Sequence, residues 1–263
     1  MDLGLKGRTA LVCGSSSGLG RAIADSLAAE GVSVAINSRS PEKLAKVRAE
    51  IVEATGAQVE AIPADLTNPD SINDLVNAAE DRLGKIDILI TNTGGPPAGM
   101  FEDHSAEVWR DAIAQNFESV VNLVREVLPG MKERRWGRIV NVTSISVKQP
   151  VIGLILSNSI RAGITGFAKT ISNEAAPFNV TVNNVLPGYT RTERLIHLAE
   201  AVAEREGTDV AGAYASWEAE IPMGRLAEPA ELGAVTAFLC SEHASYVTGQ
   251  SIAIDGGWIK GLF

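Results

Sequence analysis

Short apolar runs rich in β-branched residues alternate along this chain with longer stretches of helical periodicity. The runs at 9–13, 32–37, 58–63, 86–91, 137–142, 180–186 and 250–254 predict strands. Several are apolar almost throughout, the pattern of strands covered on both faces. Stretches such as 18–29, 41–54 and 71–83 repeat their apolar residues at the spacing of a helix face. Strand–helix alternation of this kind implies right-handed crossovers and a parallel sheet. The expected fold class is α/β, a doubly wound parallel sheet of about seven strands with helices on both faces. No linker, repeat or low-complexity tract interrupts the chain, so residues 1–263 are read as a single domain.

Residues 190–222 break the rhythm. They follow the turn at Pro187 and Gly188 and read as two helices with a soft junction at Gly207. An insertion there would stand at the carboxyl ends of the strands, where open α/β sheets bind ligands. The segment is read as a helical lid over a substrate pocket. The alternative is a packed surface helix pair whose charges are only a solvated face.

The first predicted strand runs into Gly14-Ser15-Ser16-Ser17-Gly18-Leu19-Gly20 and then a helix. Gly14 permits the tight turn, Gly18 lets the backbone approach a phosphate, and Gly20 allows close packing of helix on strand. The helix N-terminus offers free N–H groups and a positive dipole end to a pyrophosphate. Glycines between a strand and a helix predict a dinucleotide site of Rossmann type; the alternative is a glycine-rich turn without a ligand. The second strand ends at Asn37, Ser38 and Arg39. A site for NAD(H) places a carboxylate here on the ribose hydroxyls. Without it, repulsion toward a 2′-phosphate is gone, and a guanidinium can grip that phosphate. NADP(H) is therefore favoured over NAD(H), held at Ser38 and Arg39, unless Arg39 merely faces solvent at the start of the next helix.

Further segments carry a resemblance: Arg138 to Ser144 (Arg-Ile-Val-Asn-Val-Thr-Ser), Ala162 to Lys169, Val180 to Gly188, Ile221 to Leu226 and Val247 to Gly257. With the glycine spacing, they resemble the short-chain dehydrogenase/reductase family over nearly the whole chain, above all its 3-oxoacyl-[acyl-carrier-protein] reductase branch. The resemblance implies that Asp65 and Leu66 lie against an adenine ring. It implies that Asn92 and Gly94 line the cofactor cleft, and that Pro187, Gly188 and Thr192 cover the nicotinamide amide. Asn116 and Ser144 match two of the family's catalytic positions. The family also uses a Tyr and a Lys one helical turn apart, and here those positions hold Ser157 and Arg161, with the register kept on both sides. The chain is similar to a divergent branch that lacks the Tyr-x-x-x-Lys pair.

These exchanges alter the chemistry. A phenol of pKa ~10 can be drawn toward neutrality by a neighbouring cation and donate a proton. A serine hydroxyl is a much weaker acid and reaches less far. Arginine is effectively never deprotonated, which breaks a proton relay, yet Arg161 can still bind nicotinamide ribose hydroxyls. The catalytic candidates are thus Asn116, Ser144, Ser157 and Arg161, with Arg161 counted among the cofactor-binding residues as well. Tyr189 is the candidate replacement donor, against the default of a packing aromatic. His197 is the one histidine near enough to consider. Arg135 fits a carrier-protein docking position of that branch while Phe178 occupies another, which argues against an acyl-carrier substrate.

Composition narrows the field. A net charge of −9 argues against nucleic acid and anionic membrane surfaces as partners. No apolar run approaches the ~18 residues of a bilayer span. Two cysteines, Cys13 and Cys240, make no disulfide framework. With no secretory pattern near Met1, a cytoplasmic location is expected. No metal-ligand spacing is visible. The resemblance implies a homo-oligomer, dimer or tetramer, in which long helices around 105–133 and 154–176 pair. Three readings follow: an NADP(H)-dependent oxidoreductase acting on a carbonyl or alcohol; a silent nucleotide-binding subunit or sensor; and, ranked low, a dehalogenase-like chemistry. Halohydrin dehalogenases keep the Tyr and give up the glycine loop, the reverse of this chain.

Overall fold

The computed structural model describes residues 1–262 and holds one seven-stranded sheet. Its strands are β1 (Thr9–Val12), β2 (Ser33–Ser38), β3 (Val59–Pro63), β4 (Ile88–Thr91), β5 (Gly137–Val142), β6 (Val180–Pro187) and β7 (Ser251–Ile254). They pair in the order β3-β2-β1-β4-β5-β6-β7, every pair parallel. This is the single Rossmann-like α/β domain that the alternation predicts.

Side chains leave successive strand residues on opposite faces, so each strand feeds two cores. Ala10, Val12, Val34, Ile36, Ile88 and Ile90 meet the helices α1 (Gly18–Ala29), α2 (Pro41–Thr55) and α9 (Pro229–Cys240). Leu11, Cys13, Ala35, Leu89, Ile139 and Val182 meet α3 (Pro69–Leu83), α5 (Ser119–Arg134) and α6 (Ile155–Ala175) on the other side. Local chemistry sets the helix ends. Ser40 caps α2 through Lys43 N–H, with Pro41 opening it and Gly56 (φ 68°) closing it. The side chain of Asn68 accepts from Asp70 and Ser71 N–H, which starts α3 at Pro69, ahead of the apolar periodicity.

The long helix expected around 105–133 is divided. It runs as α4 (Ala106–Ile113), a π-helical turn over Ala114–Glu118, and then α5. The wide turn faces Asn116 into the protein, where it is buried. Residues beyond β6 form α7 (Glu193–Glu206) and α8 (Val210–Glu220), joined at Gly207 (φ 67°) as the sequence suggests. This pair packs through Leu195, Ala199, Val202, Ala213 and Trp217 onto Trp258 and Leu186. Among the described residues no helix is long and apolar enough to cross a membrane.

A row of polar side chains crosses four strands. Thr91 Oγ1 donates to Asn141 Oδ1 (2.7 Å), Asn141 Nδ2 to Asn184 Oδ1 (2.9 Å), and Asn184 Nδ2 to Ser251 Oγ (3.0 Å). Each pair is also a registered backbone pair of β4 with β5, β5 with β6, and β6 with β7. A slip of one residue would turn these side chains to the opposite face and strand them among apolar groups. Asn141→Leu is expected to destabilise the protein by about 2–3 kcal/mol, because it orphans a buried hydroxyl and a buried amide oxygen. Denaturant unfolding measures this, and a change below 0.5 kcal/mol would remove the row from the list of stabilising features.

Candidate active site

At the carboxyl ends of the strands a cavity of about 760 Å³ opens. Its wall holds Gly14, Ser16, Ser17, Gly18 and Leu19 from the loop after β1, and Ser38 and Arg39 after β2. It also holds Asp65 and Leu66 after β3, Asn92 and Gly94 after β4, Ser144 after β5, and Ser157 and Arg161 on α6. Pro187, Gly188 and Thr192 close the rim after β6. Two candidates stand behind the wall. Gly20 is buried against the glycine turn, and Asn116 is buried behind Arg161 and Thr93.

The glycine loop has the form a dinucleotide needs. Gly14 (φ 57°) and Gly18 (φ 56°) adopt left-handed backbone that other residues resist. A Cβ on Gly20 would run into the carbonyl oxygen of Gly14 and stand 2.6 Å from Asn92 Nδ2. That amide donates to Gly14 O (3.0 Å) and ties the loop after β4 to the loop after β1. Ser17 stands at the N-cap of α1 without a side-chain bond to the helix, so it does not cap the first-turn N–H groups, and it lines the cavity with Gly18 and Leu19. At the end of β2, Asn37 gives Nδ2 to Ile62 O (3.1 Å) and Ala64 O (3.4 Å), leaving Oδ1 a buried acceptor without a partner. Arg39 is exposed at the cavity edge, and its charge contributes to holding the Asp65 carboxyl low, after hydrogen bonds from Thr67.

On the catalytic side Arg161 is fixed at both ends of its guanidinium. Nη1 donates to Val142 O at the end of β5 (2.7 Å), and Nη2 to Asn116 Oδ1 (3.4 Å), which also accepts from Thr93 Oγ1 (3.0 Å). Burial pushes its pKa down to about 10, with the charge of Arg194 acting in the same direction. It therefore remains a cation at neutral pH. Ser157 Oγ lies 3.5 Å from Ser146 Oγ, and Ser144 Oγ accepts from Ser146 N–H (3.1 Å). Three serine hydroxyls thus gather beside one buried cation.

Tyr189 occupies the packing role. Its ring stacks on Trp217 (centroids 4.7 Å) and meets Trp258 edge-on (6.0 Å). Burial, with the nearby Glu220 carboxylate, raises its pKa to about 12, away from acid catalysis at neutral pH. His197 lines the cavity but is exposed and bonded to Glu200 (3.1 Å).

Linear patterns leave Gln115, Ser146 and Arg194 unannounced, though the first and last line the cavity and Ser146 adjoins it. Arg194 Nη2 donates to Pro96 O (2.6 Å), with its guanidinium lying on Gly95, where a Cβ would stand 3.0 Å away. That contact joins residues 98 positions apart, so no local motif could report it.

Comparison with known proteins agrees with this geometry. A family model described as enoyl-(acyl carrier protein) reductase matches residues 14–259. A 3-oxoacyl-[acyl-carrier-protein] reductase of Aquifex aeolicus is 34% identical over 98% of this chain and 99% of its own. A D-beta-hydroxybutyrate dehydrogenase of Cupriavidus necator is 38% identical over 97% and 99%. The L-sorbose reductase of Gluconobacter frateurii, solved with NADPH and L-sorbose, superposes with a TM-score of 0.94 at 32% identity, covering 100% of both chains. The chain belongs to the short-chain dehydrogenase/reductase family of oxidoreductases.

Gly20→Ala tests the loop. The new methyl group must displace backbone, so a loss of about 1–3 kcal/mol in thermal unfolding is expected. An unchanged Tm would mean that α1 can move off the turn freely.

Proposed function

We propose that this protein binds NADP(H) and transfers hydride between it and a carbonyl or alcohol substrate. The supporting observation is a single cavity shared by the glycine cradle and by Ser144, Ser157 and Arg161. The loop from Gly14 to Gly20 and the start of α1 would hold the pyrophosphate, and Ser38 and Arg39 the 2′-phosphate. Asp65, Leu66, Asn92 and Gly94 would take the adenosine half, and Pro187, Gly188, Thr192 and Arg161 the nicotinamide half. Relatives solved with NADPH, L-sorbose reductase and an actinorhodin polyketide ketoreductase, support the choice of cofactor. When bound, the reduced cofactor supplies a hydride to the carbonyl carbon. Ser144 and Ser157 then hydrogen-bond the substrate oxygen, and Arg161 offsets the negative charge growing there. Asn116 acts through Arg161 and Thr93, fixing the guanidinium from behind.

With no phenol at position 157, the product oxygen takes its proton from water. Loss of a positioned general acid costs ~10²–10⁴-fold in rate, so turnover is slow. Of the helix pair read as a lid, α7 covers the cavity, since Thr192, Arg194, Leu195 and Leu198 contribute to its wall, while α8 packs behind it. The protein works as a cytoplasmic homo-oligomer. A second reading, a nucleotide-binding subunit without turnover, is favoured by the position of Tyr189: the tyrosine nearest the site is a weakened acid locked in an aromatic stack.

Two measurements test the proposal. The double variant Ser157→Tyr with Arg161→Lys is expected to raise ketone-dependent NADPH oxidation by ~10²-fold over the parent. No gain in a variant that still binds NADPH would favour the silent subunit. Arg39→Ala is expected to weaken NADPH binding ~10-fold in calorimetry, the worth of a charge-assisted hydrogen bond, while leaving NADH unchanged. Equal loss for both would remove Arg39 from phosphate recognition.

A further inference from the structure

Arg161 stands in a setting that invites an anion. It is buried, and its bonds go to a carbonyl and an amide oxygen, with no carboxylate in reach. Arg194 approaches from α7 across the cavity mouth, its guanidinium held on Gly95 and Pro96 while part of the side chain stays in solvent. Among the described residues neither arginine makes an ion pair with an acid. The acids on the cavity wall are Asp65 and Glu193. Asp65 is engaged with Thr67 at the far, β3 side, and Glu193 is exposed. The charge that Arg161 feels most is another cation, Arg194. Two guanidinium groups in one cavity, one of them dry, repel each other and are costly to hold without a counter-charge.

The contacts of these arginines locate the anion. Arg161, on α6, is bonded to the end of β5, which leads into Ser144, and Arg194 to the loop after β4. The glycine loop that suits a pyrophosphate lies after β1, with Thr192 Cγ2 already 3.5 Å from where a Gly18 Cβ would stand. Arg161 is thus anchored on the serine side of the cavity, and Arg194 on the loop after β4, the strand that lies between β1 and β5. Guanidinium forks match planar or tetrahedral oxyanions through paired N–H donors.

We propose that Arg161 and Arg194 together form a receptor for an oxyanion carried by the substrate, a carboxylate or a phosphate ester, next to the hydroxyls of Ser144 and Ser157. The inference rests on the cofactor reading above and assigns the substrate class: a small carbonyl or hydroxy compound with an acidic group. Arg194 brings half of the receptor on α7, so the anion also fastens that helix over the site. Arg161, placed above beside the nicotinamide half, also supplies the inner half of this receptor.

The test uses the full chain saturated with NADP⁺, in which a ketone cannot be reduced. Calorimetric titration compares 3-oxobutanoate with its uncharged amide, and dihydroxyacetone phosphate with dihydroxyacetone. Each anion is expected to bind at least ~10-fold more tightly than its neutral counterpart, the order of one charge-assisted hydrogen bond. The anion that binds better identifies carboxylate or phosphate. Arg194→Gln is expected to remove that preference and Arg194→Lys to keep part of it, with NADP⁺ affinity unchanged within about twofold. Equal binding of the acid and the amide, and of the two dihydroxyacetone compounds, overturns the proposal, as does failure of every probe to bind. Loss of NADP⁺ affinity in Arg194→Gln with the anion preference intact also overturns it and makes Arg194 a cofactor clamp. Should NADP⁺ itself not bind, the cofactor reading fails, and the same titrations on the protein alone decide the receptor: preference for the anion sustains it, indifference ends it.

Discussion

The row from Thr91 through Asn141 and Asn184 to Ser251 holds the frame on which the site is built. Hydrogen bonds between backbones fix parallel strands side by side, but a parallel ladder of apolar residues tolerates small shifts along its length. Polar side chains bonded at registered positions do not, because a shift would bury unpaired amides. The row lies at the last residue of β4, next to the end of β5 and within β6, so it fixes the register from which Asn92, Ser144 and Gly188 leave the sheet. Groups on three different loops arrive at one cavity because the register of their strands is fixed.

Above that frame, charge and shape work together. Arg161 is longer than lysine and planar, and its two bonded ends reach Val142 O and Asn116 Oδ1 at once. A lysine ammonium would offer its donors from a single nitrogen, without the fixed plane of the guanidinium. Asn116 reaches this point because the helix widens by a π turn there, and its amide is spent on Ala112 O while its oxygen serves Arg161 and Thr93. A cation immobilised in this manner stabilises negative charge without having to reorganise. It is a poor proton carrier and a good electrostatic fixture.

Much of this was legible in the chain. Apolar strands covered on both faces, capped helices and a strand–glycine–helix loop follow from short-range rules, and the sheet and the loop between β1 and α1 agree with them. The positions of Ser144, Ser157 and Arg161 on one wall follow from register along β5 and α6. What was hidden depends on distance in space. Nothing near Arg194 in the sequence tells of Gly95 and Pro96. Asn116 was read as a site residue yet stands behind the wall, because a π turn leaves no mark in apolar periodicity. The boundary shifts are smaller and have a local cause, as where Asn68 draws the start of α3 forward to Pro69. Tyr189 shows the other limit: its place beside the pocket was readable, but the Trp217 and Trp258 rings that turn it into packing come from separate parts of the chain.

Those rings have a practical consequence. Trp217 rides on α8, Tyr189 on the loop after β6, and Trp258 on the segment beyond β7, so the stack spans the seam between the helix pair and the sheet. Indole emission is sensitive to ring contacts and to water at the Nε1 edge, which for Trp258 is bonded to Glu220 (2.9 Å). Two of the chain's four tryptophans thus report how firmly that helix pair is seated, while Trp109 and Trp136 stand elsewhere.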